Sequence, residues 1–130
     1  MVALWRYERR APVPVGADAL ALATRQLIAG ARAQDAGLKV IRTRAGQIGS
    51  SPAVELDAFE RIEGQLRRVR SIHVWVPGDE LVVDEYAPPA IFHAVDHAVF
   101  SPVRHSLRVT VKPAPPVKPV PRGASASPGA

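Results

Sequence analysis

The 130-residue sequence contains no cysteine, so it has neither a disulfide framework nor a zinc site with a cysteine ligand. Aromatic residues make up only 5% of the chain, and no apolar run reaches the roughly 20 residues that a membrane-spanning helix needs. A chain of this length buries enough apolar surface for one core, whereas two separate domains would each be marginal. The sequence therefore predicts one small folded domain.

Motifs that carry common enzymatic chemistry are absent as well. No Gly-x-Gly-x-x-Gly or Walker-type loop offers a helix N-terminus to a phosphate, and no serine lies in a Gly-x-Ser-x-Gly elbow. Asp84 and Glu85 are adjacent in a predicted strand, so their side chains point to opposite faces and do not form an acid and base pair. The sequence therefore predicts no catalytic residue, no cofactor and no enzymatic activity.

Basic residues exceed acidic ones, 17 against 12, but part of the excess lies near the C-terminus. Lys112, Lys118 and Arg122 belong to a segment without acids, and residues 1–111 carry a net charge of only +2. The one dense basic run contains Arg67, Arg68 and Arg70. Because acidic residues lie close to it in sequence, this run favours a solvated strand face over a nucleic-acid site. We expect no nucleic-acid partner.

The first elements are a strand and a helix. Val2 to Glu8 has the bulky and aromatic content of a strand, and the prolines at 12 and 14 end it. Asp18 is the predicted N-cap of a helix that runs to about Asp35, with Gly37 as its C-terminal stop. The helix carries a periodic apolar stripe: Leu20, Ala23, Leu27, Ile28 and Ala31.

From Leu38 the apolar period changes to two, which is typical of strands. Strands are predicted at 38–44, 54–58, 65–76 and 81–87, with a turn over 46–52 and a type II turn at Pro77-Gly78. The third of these strands has apolar residues on both faces, which indicates a central position. A helix over 90–100, ended by Ser101-Pro102, and a terminal strand over 106–111 complete the predicted order β-α-β-β-β-β-α-β. This order predicts an α+β fold, an antiparallel sheet with helices packed on it.

The domain is predicted to occupy residues 1–111. Residues 112–130 are basic and rich in proline, a composition typical of extended or disordered chain. A Pro-x-x-Pro motif at Pro113 fits a proline-motif ligand, but such matches arise easily in a proline-rich segment, and a spacer is the favoured interpretation.

A second interpretation of the function concerns metal. His93 and His97 are four residues apart on the second predicted helix, with Asp96 beside them, a spacing that can hold a divalent metal. The favoured interpretation is a surface helix whose polar face carries these residues, so that His93, Asp96 and His97 are only weak candidates for metal ligands. The alternative function is a divalent-metal-binding protein or a metal-dependent hydrolase that uses His93 and His97.

Trp75, beside the Pro77-Gly78 turn, is the aromatic residue with the best position for an edge of the sheet. If exposed near Arg68 and Arg70, it would form a protein-binding patch with them, because tryptophan and arginine commonly anchor interfaces. Burial of Trp75 beneath the first helix is the favoured interpretation. The other aromatic residues, Trp5 and Tyr7 among them, have the spacing of core positions.

Several short patterns resemble one known superfamily. They are Ile48-Gly-Ser-Ser-Pro-Ala-Val-Glu-Leu56, Gly64 before Arg68 and Arg70, Leu81-Val-Val-Asp-Glu-Tyr-Ala-Pro-Pro-Ala-Ile-Phe92, and Phe100 before Ser106-Leu107. Over residues 18–109 the chain resembles the PsbP-like superfamily, which includes the photosystem protein PsbP, the Ran-binding release factor and bacterial DcrB-type relatives.

The resemblance implies a PsbP-like α/β/α sandwich and a non-catalytic accessory module that binds another protein. Members usually begin with a β-hairpin, so the single strand before Pro12 implies a shortened N-terminus. The chain as written has no signal-peptide pattern over residues 1–10, which predicts a cytoplasmic protein. A start further upstream would make it exported or membrane-anchored, as many relatives are.

Overall fold

Alternating apolar residues build a five-stranded antiparallel sheet in the computed structural model, which describes residues 1–111. The strands are β1 (Val2–Glu8), β2 (Lys39–Ile48), β3 (Ser51–Ile62), β4 (Gln65–Val76) and β5 (Asp79–Ala87). Their order across the sheet is β1-β5-β4-β3-β2, so β4 is central as predicted. The predicted proline-rich segment, residues 112–130, lies outside the described residues.

Short turns at glycines join β2 through β5 into a meander. Gly49, Gly64 and Gly78 have φ values of +61°, +76° and +85°, which a residue with a side chain rarely adopts. The predicted Pro77-Gly78 turn is confirmed, since Val76 pairs with Asp79 across it. The predicted turn over 46–52 is present but shorter, at Gly49-Ser50, because β2 continues to Ile48 and β3 begins at Ser51. Two residues suffice to reverse the chain when the first of them adopts positive φ.

The predicted first helix is confirmed as α1 (Ala17–Gln34), which lies on one face of the sheet. Gly16, not Asp18, is its N-cap, and Asp18 instead places a negative charge in the first turn, where the helix dipole favours it. Asp35 ends the helix, and its carboxylate accepts hydrogen bonds from the backbone N–H groups of Gly37 and Arg61. The apolar stripe of α1 buries Ala23 against Val54 and Trp75.

A C-terminal helical segment, residues 89–106, covers part of the opposite face. It contains a 3-10 turn (Pro89–Ile91), α2 (Phe92–Val95), a π-helical turn (Asp96–Phe100) and α3 (Ser101–Ser106). Phe92 and Phe100 pack together with Ala87 beneath it. The predicted end of the helix at Ser101-Pro102 is wrong. Pro102 lies in the first turn of α3, directly after the π-helical turn, so the helical segment continues through the position at which proline has no N–H to donate.

The predicted terminal strand over 106–111 is also wrong, since the chain after Ser106 forms no strand within the described residues. Leu107 and Val109 nevertheless pack against a core cluster of Ala53, Ile72, Val74 and Val83. Their alternation therefore reflects burial of one side of an extended segment over the sheet, not pairing with another strand.

The α+β class is confirmed, with helices on both faces of one antiparallel sheet. Within residues 1–111, no helix combines the length and the apolar character that a membrane crossing requires.

Candidate functional site

Trp75 and the two arginines predicted beside it lie on opposite faces of the sheet. Side chains alternate along β4, so Trp75 faces α1 whereas Arg68 and Arg70 face the C-terminal helical segment. Trp75 is only 1% exposed and packs against Ala23 and Val54. The three residues therefore do not form the protein-binding patch that their exposure would have allowed.

Arg70 is the centre of a buried ion-pair cluster between the sheet and the C-terminal helical segment. Its Nε lies 2.9 Å from Asp57 Oδ1, and its Nη1 lies 2.8 Å from Asp96 Oδ1. Arg104 joins from α3, with its Nη1 2.6 Å from Glu85 Oε2. The members of the cluster are Arg42, Glu55, Asp57, Arg70, Glu85, Asp96 and Arg104.

The cluster carries more negative than positive charge, and Glu85 is its most buried member. Glu85 is fully buried, and its Oε1 atom has no hydrogen-bond partner within the described residues. Burial raises the pKa of Glu85, although Arg104 and Arg70 oppose that rise. For Asp96, burial would raise the pKa, but hydrogen bonds from Arg104 and Arg70 hold it below its usual value. The cluster therefore attaches the C-terminal helical segment to the sheet through charge pairs.

Arg68 is only partly buried and stacks instead of pairing. Its guanidinium carbon lies 5.1 Å from the centre of the Phe92 ring and 5.8 Å from that of Phe59. Cation–π contacts of this kind add to the packing of the C-terminal helical segment. Both arginines predicted for docking thus have structural contacts.

The weak metal candidates do not converge. His93 and His97 are exposed on the C-terminal helical segment, while the Asp96 carboxylate is bound to Arg70 and Arg104. Among residues 1–111, no group of three His, Asp or Glu side chains is arranged to hold a metal ion.

On the face that carries α1, six side chains form a continuous polar chain. His73 lies at its middle, with Nδ1 2.6 Å from Glu80 Oε1 and Nε2 3.2 Å from Ser71 Oγ. At one end Arg9 donates to Glu80, over 3.1 Å. At the other end the Ser71 hydroxyl donates to Asp84 over 2.5 Å, and the Trp5 indole N–H donates to the same carboxylate over 3.0 Å.

Ser71, His73 and Glu80 contact each other in the order serine, histidine, acid, as in a serine hydrolase triad. The sequence motifs did not indicate this arrangement. The hydroxyl proton of Ser71, however, is donated to Asp84 and not to His73. The backbone around Ser71 is paired with β3 on one side and β5 on the other, so it offers no free N–H pair to stabilise an oxyanion. The hydrogen bond from His73 lowers the pKa of Glu80, which keeps this carboxylate ionised. Ser71 and His73 therefore belong to a charge-paired chain in which the Ser71 hydroxyl is bonded to Asp84.

Beside the polar chain, a cleft of about 440 Å³ lies between α1 and the sheet. Ser71, His73 and Asp84 line its floor together with Glu60 of β3. We call it the α1 cleft. Burial raises the pKa of Glu60, and repulsion from Asp35 and Asp84 adds to the rise.

The free edge of the sheet at β1, here called the β1 edge, exposes large apolar side chains. Leu4 is 67% exposed, Trp5 50% and Tyr7 53%, so the expectation that Trp5 and Tyr7 are core residues is wrong. The core-like spacing was correct for the faces they occupy, but α1 packs mainly against β2 and β3 and leaves the Trp5 and Tyr7 side chains about half exposed. On the opposite face, Leu4 lines an apolar groove of about 260 Å³ with Val83, Leu107 and Val109.

Solved structures with the same fold support this architecture. The protein of unknown function PA94 from Pseudomonas aeruginosa superimposes with a TM-score of 0.66 at 17% identity, covering 86% of this chain and 85% of that one. Cyanobacterial PsbP, CyanoP, from Synechocystis sp. PCC 6803 gives 0.61 at 13% identity, covering 84% of this chain and 66% of that one. No protein-family model matches the chain, and no curated protein matches it. The chain has the PsbP-like fold.

Proposed function

We propose that the chain is a non-catalytic accessory module of PsbP-like type that binds another protein along the β1 edge. The observation that carries the proposal is the exposure of Leu4, Trp5 and Tyr7 on a strand that, within residues 1–111, is paired on one side only. Exposed apolar edge strands are sites of pairing with another chain, and natural proteins usually cover or charge them.

The geometry of the β1 edge suits an extended partner segment. β1 pairs with β5 over Val2 to Glu8, and no described strand pairs with its other side. A partner strand added there would satisfy the open backbone groups of β1, while its alternate side chains reach the two faces of the sheet. On one face the groove beside Leu4 offers an apolar pocket, and on the other Trp5 and Tyr7 offer aromatic contacts.

Trp5 is held in place before any partner arrives. Its indole N–H donates to Asp84 over 3.0 Å, which fixes the ring although half of its surface is exposed. A side chain that is already ordered loses little conformational entropy on binding, and tryptophan is among the most frequent energetic anchors of interfaces. Trp5, and not Trp75, is therefore the tryptophan that we propose as the anchor for a protein partner.

A photo-crosslinking residue placed at Leu4 tests the proposal, with the same residue at Ile41 as the matched control. Ile41 is an exposed apolar residue on β2, at the other edge of the sheet. We expect a protein from the source cell to crosslink at Leu4 and not at Ile41. The purified partner should then bind Trp5→Ala at least tenfold more weakly than the unmodified chain, and Ile41→Ala with unchanged affinity.

Equal crosslinking from both edges, or unchanged affinity of the Trp5 variant, would overturn the proposal. Sedimentation equilibrium of the protein alone checks for self-pairing. A dimer that Trp5→Ala abolishes would identify a second copy of the chain as the partner at this edge.

A further inference from the structure

The α1 cleft has one apolar wall and one acidic region. Leu27, Gly30 and Ala31 of α1 form the apolar wall, and Leu56, Ala58 and Val69 continue it on the sheet. Its volume of about 440 Å³ lies within the range of small-molecule sites, roughly 300–1,000 Å³. The cleft is thus large enough for a small organic ligand.

The charge of the cleft is opposite to that of the protein. The whole chain carries a net charge of +5, yet no lysine or arginine of residues 1–111 lines the cleft. Two carboxylates do, Glu60 from β3 and Asp84 from β5, and His73 is bonded to Glu80 and Ser71. A cation is attracted into such a site, and an anion is repelled.

Of the two carboxylates that line the cleft, Glu60 is the one without a bonded partner among residues 1–111. It is partly buried, and no described residue donates a hydrogen bond to its carboxylate or forms an ion pair with it. Asp84, by contrast, already accepts from Ser71 and Trp5. The Glu60 carboxylate oxygens are not among the buried polar atoms without a partner, so they are open to solvent and an ammonium group in the cleft can contact them directly.

We propose that the α1 cleft binds a small organic amine, with its ammonium group at Glu60 and its apolar body against α1. The ammonium supplies the donors that Glu60 lacks, and Asp84 adds a second negative charge to the field. Tyr7 and Tyr86 also line the cleft, and aromatic rings favour cations. Burial in the cleft raises the pKa of Glu60, so a cation beside its carboxylate would favour the ionised form.

A metal ion fits the site less well than an amine. Divalent cations need several ligand atoms at short distances, and no three acidic or histidine side chains of residues 1–111 are grouped for that purpose. The apolar wall would remain unused beside a hydrated metal. An amine with a hydrocarbon body uses both parts of the cleft.

Three probes of equal length and different head group test the proposal: hexylamine, 1-hexanol and hexanoate. Binding to the full chain at pH 7 is followed by amide chemical shifts in ¹H–¹⁵N NMR spectra. We expect hexylamine to bind with a dissociation constant in the millimolar range or tighter, and to shift Gly30, Ala31 and Ser71. Hexanol should bind at least tenfold more weakly, and hexanoate should produce no saturable shift at these amides.

Two variants locate the site, and a third is the control. Glu60→Gln should weaken hexylamine binding at least tenfold. Gly30→Leu should abolish binding by filling the cleft, since a Cβ atom at Gly30 meets nothing within 4 Å. Glu63→Gln makes the same charge change at an exposed position close by in sequence and should leave the affinity unchanged. Thermal unfolding of each variant shows whether it is folded.

Three results would each overturn the proposal: no saturable binding of hexylamine, equal binding of hexylamine and hexanoate, or wild-type affinity in a folded Glu60→Gln variant. Leu4 of the β1 edge lies on the other face of the sheet and does not line the cleft, so Leu4→Ala is expected to leave hexylamine binding within twofold. The experiments therefore show which of the two proposals fails, because each proposal has its own variant and its own measurement.

Discussion

The guanidinium of Arg70 lies between Asp57 and Asp96, one carboxylate from the sheet and one from the C-terminal helical segment, at 2.9 Å and 2.8 Å. One side chain thus connects two parts of the fold that are far apart in sequence. Removal of either partner from a buried ion pair leaves a charge without compensation, and this costs more than the pair contributes.

Arg70→Met is expected to destabilise the protein by about 3 kcal/mol, the lower end of the cost of removing one partner from a buried ion pair, because Arg42 and Arg104 remain beside the carboxylates. Asp57 is 1% exposed, and its remaining partner among the described residues would be Arg42, whose side chain is half exposed. Urea unfolding at pH 7 measures the change. Arg67→Met is the matched control on the same strand, since Arg67 bonds only to Gln65 at the surface, and a change within about 0.5 kcal/mol is expected there. Equal effects at the two positions would contradict the role of the ion-pair cluster.

Glu80 should make the protein less stable in acid. The hydrogen bond from His73 lowers its pKa below the ordinary value of 4.5, so its contribution is present above pH 4.5 and is lost as the pH falls through the lowered pKa. Urea unfolding between pH 6 and pH 3 should show a smaller loss of stability in Glu80→Gln than in the unmodified chain. A Glu63→Gln variant should follow the unmodified chain.

Glu60 should have the opposite effect. Burial raises its pKa above the ordinary value of 4.5, so its ionisation costs stability at neutral pH, and that cost disappears as the pH falls through the raised pKa. Glu60→Gln is therefore expected to be more stable than the unmodified chain at pH 7 and no more stable at pH 4. Urea unfolding at the two pH values measures this. A lower stability at pH 7 would indicate that Glu60 has a partner in the native state.

The two tryptophans should differ in fluorescence. Trp5→Phe leaves Trp75 alone, which is buried beneath α1, so its emission should be blue-shifted and poorly quenched by acrylamide. Trp75→Phe leaves Trp5 alone, half exposed, so acrylamide should quench it readily. Trp75→Ala should also cost about 3–5 kcal/mol, as large-to-small changes of buried aromatic residues do. Equal quenching of the two single-tryptophan variants would contradict the placement of both side chains.

Local patterns predicted the elements on which the fold depends. Positive φ at Gly78 follows from Pro77-Gly78, and the alternation from Val69 to Trp75 correctly assigns the two faces of β4. The same turn also fixes the register of β4 against β5, which opposes Ser71 to Asp84 and Trp75 to Glu80. That register indicates which polar side chains of β4 and β5 lie opposite each other in the polar chain. No catalytic sequence motif contains this information.

Other features depend on tertiary packing that no local pattern contains. Arg104 reaches Glu85 and Asp96 because the π-helical turn continues the C-terminal helical segment past Phe100. The exposure of Trp5 depends on where α1 lies across the sheet, since the same spacing in a covered strand would bury it. Leu107 and Val109 alternate as a strand does, and only the packing shows that the segment lies over the sheet.

The place of β1 in the sheet also bears on how the protein folds. Strands β2 to β5 pair with their sequence neighbours, whereas Val2 pairs with Glu85 across nearly the whole described chain. Closure of so long a loop is slow compared with the formation of local hairpins, so we expect the four-stranded meander to form before β1 joins it. During synthesis β1 cannot pair in the sheet until β5 has been made. The strand that carries Trp5 is thus the last to enter the sheet, and its amides should exchange with solvent deuterium before those of β4.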